Sequence, residues 1–273
     1  MKQPELDWKN LGFGLTPTDY NIRYTWRNGQ WSRGEVFESM ELTIPLAATV
    51  LHYGQALFEG LKAFRTIDDR IVLFRPEMNS ERMERGARKL LMQAPPADLF
   101  MEAVTEVVRL NKRFVPPVNS GAALYIRPLL IGTGAHVGVQ PADEYMFTVF
   151  VTPVGPYFKD GLRPIRLRVE EEVHRAAPLG VGDVKAAGNY AAAMRATHSA
   201  KEHGFNDVLY LDSREGKYVD EIGAANFFGI KTINGTPTYI TPRSHSILPS
   251  ITNDSLLMMA KDLGMNAERR PIS

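Results

Sequence analysis

No cysteine occurs anywhere in these 273 residues. Disulfides, thiolate nucleophiles and zinc–thiolate sites are therefore excluded from this stretch, and a reducing compartment is permitted. Surplus charge is missing too: 32 lysines and arginines against 31 aspartates and glutamates give a formal net charge of +1. A general nucleic-acid binder needs spare cations to follow phosphates, so nucleic acid is not an expected partner. No hydrophobic run reaches membrane-spanning length, and the opening "MKQPELDWKN" is too charged for a signal peptide. Neither a membrane nor secretion is expected, and a cytoplasmic location is. A glycine-rich nucleotide loop is also lacking, since "GTGAHVG" is too irregular to count. His52 and His136 have no partner at metal-ligand spacing and read as structural, so no metal is expected.

What remains is 44% hydrophobic and 23% charged, enough for one large domain or two modest ones. The hydrophobic period keeps switching between two and 3.6, which favours mixed α/β layers over a bundle or a sandwich. "NIRYTWRNGQW" carries an Asn28-Gly29 hairpin signal. "LHYGQALFEGLKAFRT", a turn at Asp68-Asp69 and "RIVLFR" suggest a short helix and two strands. "NSERMERGARKLLM" reads as a helix opened by Asn79 or Ser80, with Glu81 near its positive end. A second helix, "ADLFMEAVTEVVRLNKRF", places Leu99, Ala103, Val104, Val107 and Val108 on one side, and "AALYIRPLLIG" and "YMFTVFVTPV" are buried-strand candidates.

Proline and glycine then concentrate in "TPVGPYFKDGLRPI". This predicts an N-terminal α/β domain over 1–155, a linker over 156–164 and a C-terminal domain over 165–273. In the latter, "NYAAAMRATHSAKEHG" predicts a helix with an inner stripe of Tyr190, Ala193, Met194 and Thr197 and Gly204 as its C′ residue. Short strands follow, with turns at Glu215-Gly216 and Asn234-Gly235, and "SITNDSLLMMAKDLG" begins a last helix.

Chemistry concentrates in that second half. Lys185 lies in "LGVGDVKAAGNYAAAM", just before a helix start and among small residues. A lone lysine is usually solvated surface. Small neighbours leave room for something other than protein, and a confined lysine can act as a neutral nucleophile or base. Tyr190 is close enough to face the same site. Glu221, in "YVDEIGAANFFG", precedes another run of small residues. A sheltered carboxylate there can keep a pyridinium nitrogen protonated, although Asp220 competes, because neighbours on a strand point to opposite faces. In "LPSITNDSLLMM", Ser250, Ile251 and Thr252 sit at a helix N-terminus suited to an anion, against the plainer account that Thr252 or Asn253 only caps the helix. Arg82 can add counter-charge, or form an ordinary ion pair. Phe13, Tyr53, Phe58, Tyr125 and Tyr157 suggest a wall that is apolar in body and polar at its tips.

Six segments in order resemble the branched-chain aminotransferases, pyridoxal-phosphate enzymes of fold type IV: "LHYGQALFEGLKAFR", "LFRPEMNSERM", "LYIRPLLIG", "GVGDVKAAGNYA", "DEIGAANFFG" and "ILPSIT". The likeness runs from about Phe13 to the last residue. It implies that Lys185 carries pyridoxal 5′-phosphate covalently and serves as the base, with Tyr190 at the phenolic oxygen and Glu221 at the pyridine nitrogen. Arg82 and the amides of Ile251 and Thr252 would hold the phosphate. Tyr53, Tyr125 and Arg127 look like the carboxylate-side group, and Phe13, Phe58, Tyr157 and Ala224 like the side-chain pocket. Val139 resembles a residue that the family sends into a neighbouring subunit, which implies a homodimer. The implied reaction moves an amino group from leucine, isoleucine or valine to 2-oxoglutarate. Other readings of the same fold are a D-amino-acid aminotransferase, an aminodeoxychorismate lyase or a non-catalytic dimerising remnant.

Three departures stand out. Ala224 replaces a threonine found in some members, and Asn253 stands where the broader class often has a basic residue. The ending "NAERRPIS" looks like the approach to a strand, where the family continues into further strands and a loop. The expectation is therefore a C-terminal domain that is incomplete relative to the family.

Overall fold

Residues 4–156, 161 and 163–273 are described by the structure, a computed structural model. They fall into two units, Met1–Arg163 and Pro164–Ser273. The segment expected as a linker lies largely outside the described residues.

In the first unit one sheet is built from β1 (Asn21–Arg27), β2 (Gln30–Trp31), β3 (Glu35–Phe37), β4 (Ala56–Phe58), β5 (Leu61–Arg65), β6 (Ile71–Leu73), β7 (Ala123–Gly132) and β8 (Tyr145–Val154). Its order is β2-β1-β8-β7-β5-β6, with β3 beside β1 and β4 beside β7, and every pairing is antiparallel. The expected hairpin is present: Trp26 faces Trp31 and Arg27 faces Gln30. That leaves Asn28 and Gly29 as a two-residue turn, both at positive φ, as a type I′ turn requires. Strand β7 alternates over 124–130. Leu124, Ile126 and Leu130 are fully buried, while Tyr125, Arg127 and Leu129 are half-exposed on the other face.

Helices α1 (Thr49–Tyr53), α2 (Pro76–Lys89) and α3 (Ala97–Leu110) complete the unit. Helix α3 covers the core with Phe100, Ala103, Val104, Val107 and Val108, and the Phe100 ring stacks on Phe147 of β8 at 5.8 Å. Phe100, not Leu99, completes the stripe, because 3.6 residues per turn place position 100 directly above 103 and 104. Helix α2 begins at Pro76, not at Asn79 or Ser80. A proline at N1 gives up no needed hydrogen bond, so the helix starts there. Asn79 and Ser80 are buried within it, and the acidic residue of its first turn is Glu77 rather than Glu81.

The second unit starts with β9 (Leu167–Glu170), α4 (Ala187–Glu202), β10 (Asp207–Leu211), β11 (Val219–Ile222) and β12 (Ala225–Asn226), with sheet order β12-β11-β10-β9. Strands β9 and β10 are parallel, so a crossover must join them, and α4 supplies it. Ala196 and Ala200 of α4 pack on Val208 and Tyr210, with Ala193 and Phe205 at the margin. The expected stripe is thus rotated: Met194 is 67% exposed. Short alanines let the helix lie close to the sheet, and a methionine on that side would hold it off. The helix closes as a Schellman motif, with Phe205 N–H donating to Ala200 and Gly204 N–H to Lys201. A second crossover follows, in which α5 (Ile251–Asp262) joins β14 (Thr236–Thr241) to the parallel β15 (Asn266–Arg269), and β13 (Gly229–Ile233) pairs with β14 across the Asn234-Gly235 turn. No helix among the described residues is long and apolar enough to cross a membrane.

Candidate functional site

The loop before α4 presents Lys185, half-buried, with its Nζ 3.0 Å from the Tyr190 hydroxyl. The loop is shaped by two ties. Asn189 Nδ2, one helical turn in, donates to the Val181 and Val184 carbonyls at 2.7 and 2.9 Å. Arg175 Nη1 donates to the carbonyls of Gly182 and Ser246, at 3.3 and 2.9 Å. These two segments approach so closely that a Cβ on Gly182 would lie 2.3 Å from the Ser246 oxygen. Gly182→Ala is therefore expected to push them apart and destabilise the chain by about 1–3 kcal/mol. A urea midpoint equal to that of the parent would disprove the close packing.

Glu221, on β11, is 4% exposed. Arg175 Nη2 forms an ion pair with its Oε1, and Asn226 Nδ2 donates to Oε2 at 3.3 Å. Asn226 also donates to the Leu248 carbonyl at 3.0 Å, which ties β12 to the segment leading into α5. Burial nonetheless pushes the Glu221 carboxyl up to about 7, against the pull of Arg175. Asp220 is buried as well and raised by desolvation, but its Oδ1 has no hydrogen-bond partner. Of the two competing carboxylates, Glu221 is the one paired with Arg175 and bonded to Asn226.

Helix α5 opens with Ser250 as its cap, whose hydroxyl accepts the Asn253 N–H at 3.0 Å. Neither Thr252 nor Asn253 caps it. Asn253 is buried, accepting from Tyr239 Oη at 2.5 Å and donating to Thr241 Oγ1 at 2.8 Å. The amides of Ile251 and Thr252, in the first turn, have no acceptor inside the helix, and Thr252 is exposed. Ala224 lies exposed at the turn between β11 and β12.

In the first unit, the outer face of β7 gathers a second set of residues. Phe58 of β4 pairs with Leu129 and so shares the face of Tyr125 and Arg127. Arg127 Nη2 donates to Tyr125 Oη at 3.1 Å, and its guanidinium lies 4.7 Å from the Phe58 ring centre. The Phe13 ring meets Tyr125 edge-on at 5.3 Å. Gly60 lets the Tyr125 ring lie close, since a Cβ would fall 2.1 Å from Tyr125 Oη. The Tyr53 hydroxyl donates to the Val137 carbonyl, and Tyr53 lines an open groove with Val139, which is 87% exposed. Tyr157 lies outside the described residues. His52 bonds the Leu46 carbonyl and His136 bonds Asp143 and Gln140, and no metal-binding cluster occurs among the described residues.

Arg82 is not an ordinary surface cation. It gives Nε and Nη2 to the two oxygens of Glu59 at 2.8 and 2.7 Å, and Asn79 donates to the same carboxylate at 2.8 Å. Sequence reasoning missed Glu59, Asn79, Arg175 and Asn226. It also missed Lys62, which pairs with Tyr125 across the strands and whose ammonium is pushed down by burial. A signal existed only for Glu59, a carboxylate set between apolar strand residues, where ionic groups are buried only with a partner.

The model of the class IV amino-transferases matches residues 56–273. The chain is 49% identical over 269 residues to the branched-chain-amino-acid aminotransferase of Haemophilus influenzae, covering 96% of this chain and 77% of that one. It is 47% identical over 267 residues to the chloroplastic branched-chain amino acid aminotransferase 2 of Humulus lupulus, covering 97% of this chain but 64% of the relative. Among solved structures, the Escherichia coli branched-chain amino acid aminotransferase matches with a TM-score of 0.77 at 26% identity, over 94% of this chain and 78% of that one. A second solved branched-chain amino acid aminotransferase, from T.th. and with pyridoxamine 5′-phosphate, matches at 0.72 and 26%, over 92% and 77%.

Proposed function

This chain belongs to the class IV aminotransferases, and from that premise we propose that it moves the amino group of leucine, isoleucine and valine to 2-oxoglutarate, releasing the branched 2-oxo acids and glutamate. The observation that carries the reading is the Lys185 amine held 3.0 Å from the Tyr190 hydroxyl, in a unit that also contains buried Glu221 and the α5 N-terminus. This donor set fits pyridoxal 5′-phosphate: an amine for its aldehyde, a phenol for its phenolic oxygen, a carboxylate for its ring nitrogen and helix amides for its phosphate. When bound, that cofactor supplies an electron sink for the proton loss at the substrate Cα.

The chain's own residues then divide the work. Lys185 anchors the cofactor and takes the Cα proton as base. Tyr190 supports the lysine, and Glu221 keeps the ring nitrogen protonated. The amides of Ile251 and Thr252, with Arg82, hold the phosphate. Tyr53, Tyr125 and Arg127 receive the substrate carboxylate, while Phe13, Phe58, Tyr157 and Ala224 receive the aliphatic side chain. One methylene in such a pocket is worth only ~1–3 kcal/mol, so the three donors are expected to overlap in use. A homodimer, with Val139 reaching into the neighbouring site, and a cytoplasmic location are part of the same proposal; the exposure of Val139 supports the former.

Purified chain mixed with pyridoxal 5′-phosphate is expected to develop a visible absorption band that borohydride abolishes, and to turn over L-leucine with 2-oxoglutarate. Turnover of D-alanine or aminodeoxychorismate instead would select another activity of the family. The absence of both the band and turnover would favour the non-catalytic remnant.

A further inference from the structure

We propose that Arg175 is a positioning residue that sets both the place and the charge of Glu221 and holds the Lys185 loop in step with it; this deepens the function proposed above and rests on it. One guanidinium, on a side chain 8% exposed, joins three segments distant in sequence. Its Nη1 donates to the Gly182 and Ser246 carbonyls, and its Nη2 pairs with Glu221 Oε1. Gly182 lies three residues before Lys185, and Ser246 four before the Ser250 cap. The same cation therefore fixes the amine loop, the acid strand and the approach to α5. Only a planar fork of donors can serve two carbonyls and a carboxylate at once; an ammonium on a flexible stem cannot hold that geometry.

The charge argument concerns what surrounds Glu221. The Arg175 guanidinium and the Asn226 amide favour its ionised form, whereas burial and the neighbouring Asp220 oppose it. Arg175 is the one cation among these groups. With a carboxyl already raised to about 7, loss of that cation moves the balance further toward the neutral acid. A neutral Glu221 donates a hydrogen bond instead of accepting one, and so no longer keeps a ring nitrogen protonated.

The test follows the Glu221 carboxyl by carbon-13 NMR in the full chain, with Glu221→Gln to assign the signal. Arg175→Met is expected to move its midpoint upward by about one pH unit or more. Arg175→Lys, which keeps the cation, should hold the midpoint within about half a unit. It should also speed amide exchange across residues 179–186, because the carbonyl ties are lost. After loading with pyridoxal 5′-phosphate, Arg175→Met should lower kcat for L-leucine about tenfold at neutral pH with little change in KM, and the deficit should shrink as rising pH restores the carboxylate. Should the methionine variant fail to fold, Arg175→Gln, an uncharged donor, takes the same titration. An unchanged Glu221 midpoint in the uncharged variant overturns the proposal. Parent protein that takes up no pyridoxal 5′-phosphate defeats the proposed function instead, and the titration still judges what Arg175 does to Glu221.

Discussion

Lys185→Ala is expected to lower transamination by about 10⁴-fold or more while leaving the fold in place. A positioned base alone is worth roughly 10²–10⁴-fold, and this lysine is assigned covalent anchoring of the cofactor as well, so the two losses fall on one residue. The structural loss is small by comparison. The side chain is half-buried and makes a hydrogen bond to Tyr190, while the loop is held independently by Asn189 and Arg175. A hydrogen bond of that kind contributes about 0.5–1.5 kcal/mol, which corresponds to a few degrees of melting temperature. Steady-state turnover of L-leucine and calorimetry on the same preparation separate the two effects. Turnover near that of the parent would remove Lys185 as the base. A collapsed melting transition would make it a structural residue.

How far the fold could be read before the structure depended on how much of each element's environment lies in its own sequence. The Asn28-Gly29 and Asn234-Gly235 hairpins were legible because their turn geometry is local: the two residues that must take positive φ are the two that tolerate it. Helix α3 was nearly legible, since a long amphipathic stripe has one burial solution, and the error was a single position, Phe100 for Leu99. Helix α4 was not. Its hydrophobic contrast is weak, so the burial face is chosen by how closely Ala196 and Ala200 can approach Val208 and Tyr210, a property of the sheet rather than of the helix. The start of α2 failed for another reason. Asn79 looks like a cap, but its amide is drawn to Glu59, while Pro76 sets the helix start.

The candidate site divides in the same way. Lys185 and Tyr190 were visible together because they lie five residues apart across one helix start. Tyr125 and Arg127 were brought together only by the family resemblance, and the structure sets them two residues apart on one face of β7. The groups that hold these residues in place were not visible. Arg175 reaches Glu221, and Arg82 reaches Glu59, across separate elements, and no local pattern records which strand ends beside which helix. Reactive residues advertise themselves by unusual neighbours, such as a lysine among glycines and alanines. Their supports look like ordinary charged residues until the chain is folded.

The buried support in the first unit gives the largest expected stability effect: Glu59→Ala should destabilise the chain by about 3–5 kcal/mol. Glu59 is completely buried, and its carboxylate receives three hydrogen bonds, two from Arg82 and one from Asn79. Removing it takes two charge-assisted hydrogen bonds from a guanidinium whose side chain is 9% exposed and opens a void beside it. The contrast is with Arg88–Glu84 on the same helix, whose side chains are 73% and 58% exposed; there the pair contributes about 0–1 kcal/mol, and Glu84→Ala should be near neutral. Urea unfolding of both variants gives the comparison. The double variant Glu59→Met with Arg82→Met should lose less than Glu59→Ala alone, because no buried guanidinium then loses its carboxylate. It should also bind pyridoxal 5′-phosphate more weakly, since Arg82 is assigned to the phosphate. If Glu59→Ala costs no more than Glu84→Ala, water reaches the pair, and the view of Glu59 as the buried holder of Arg82 fails.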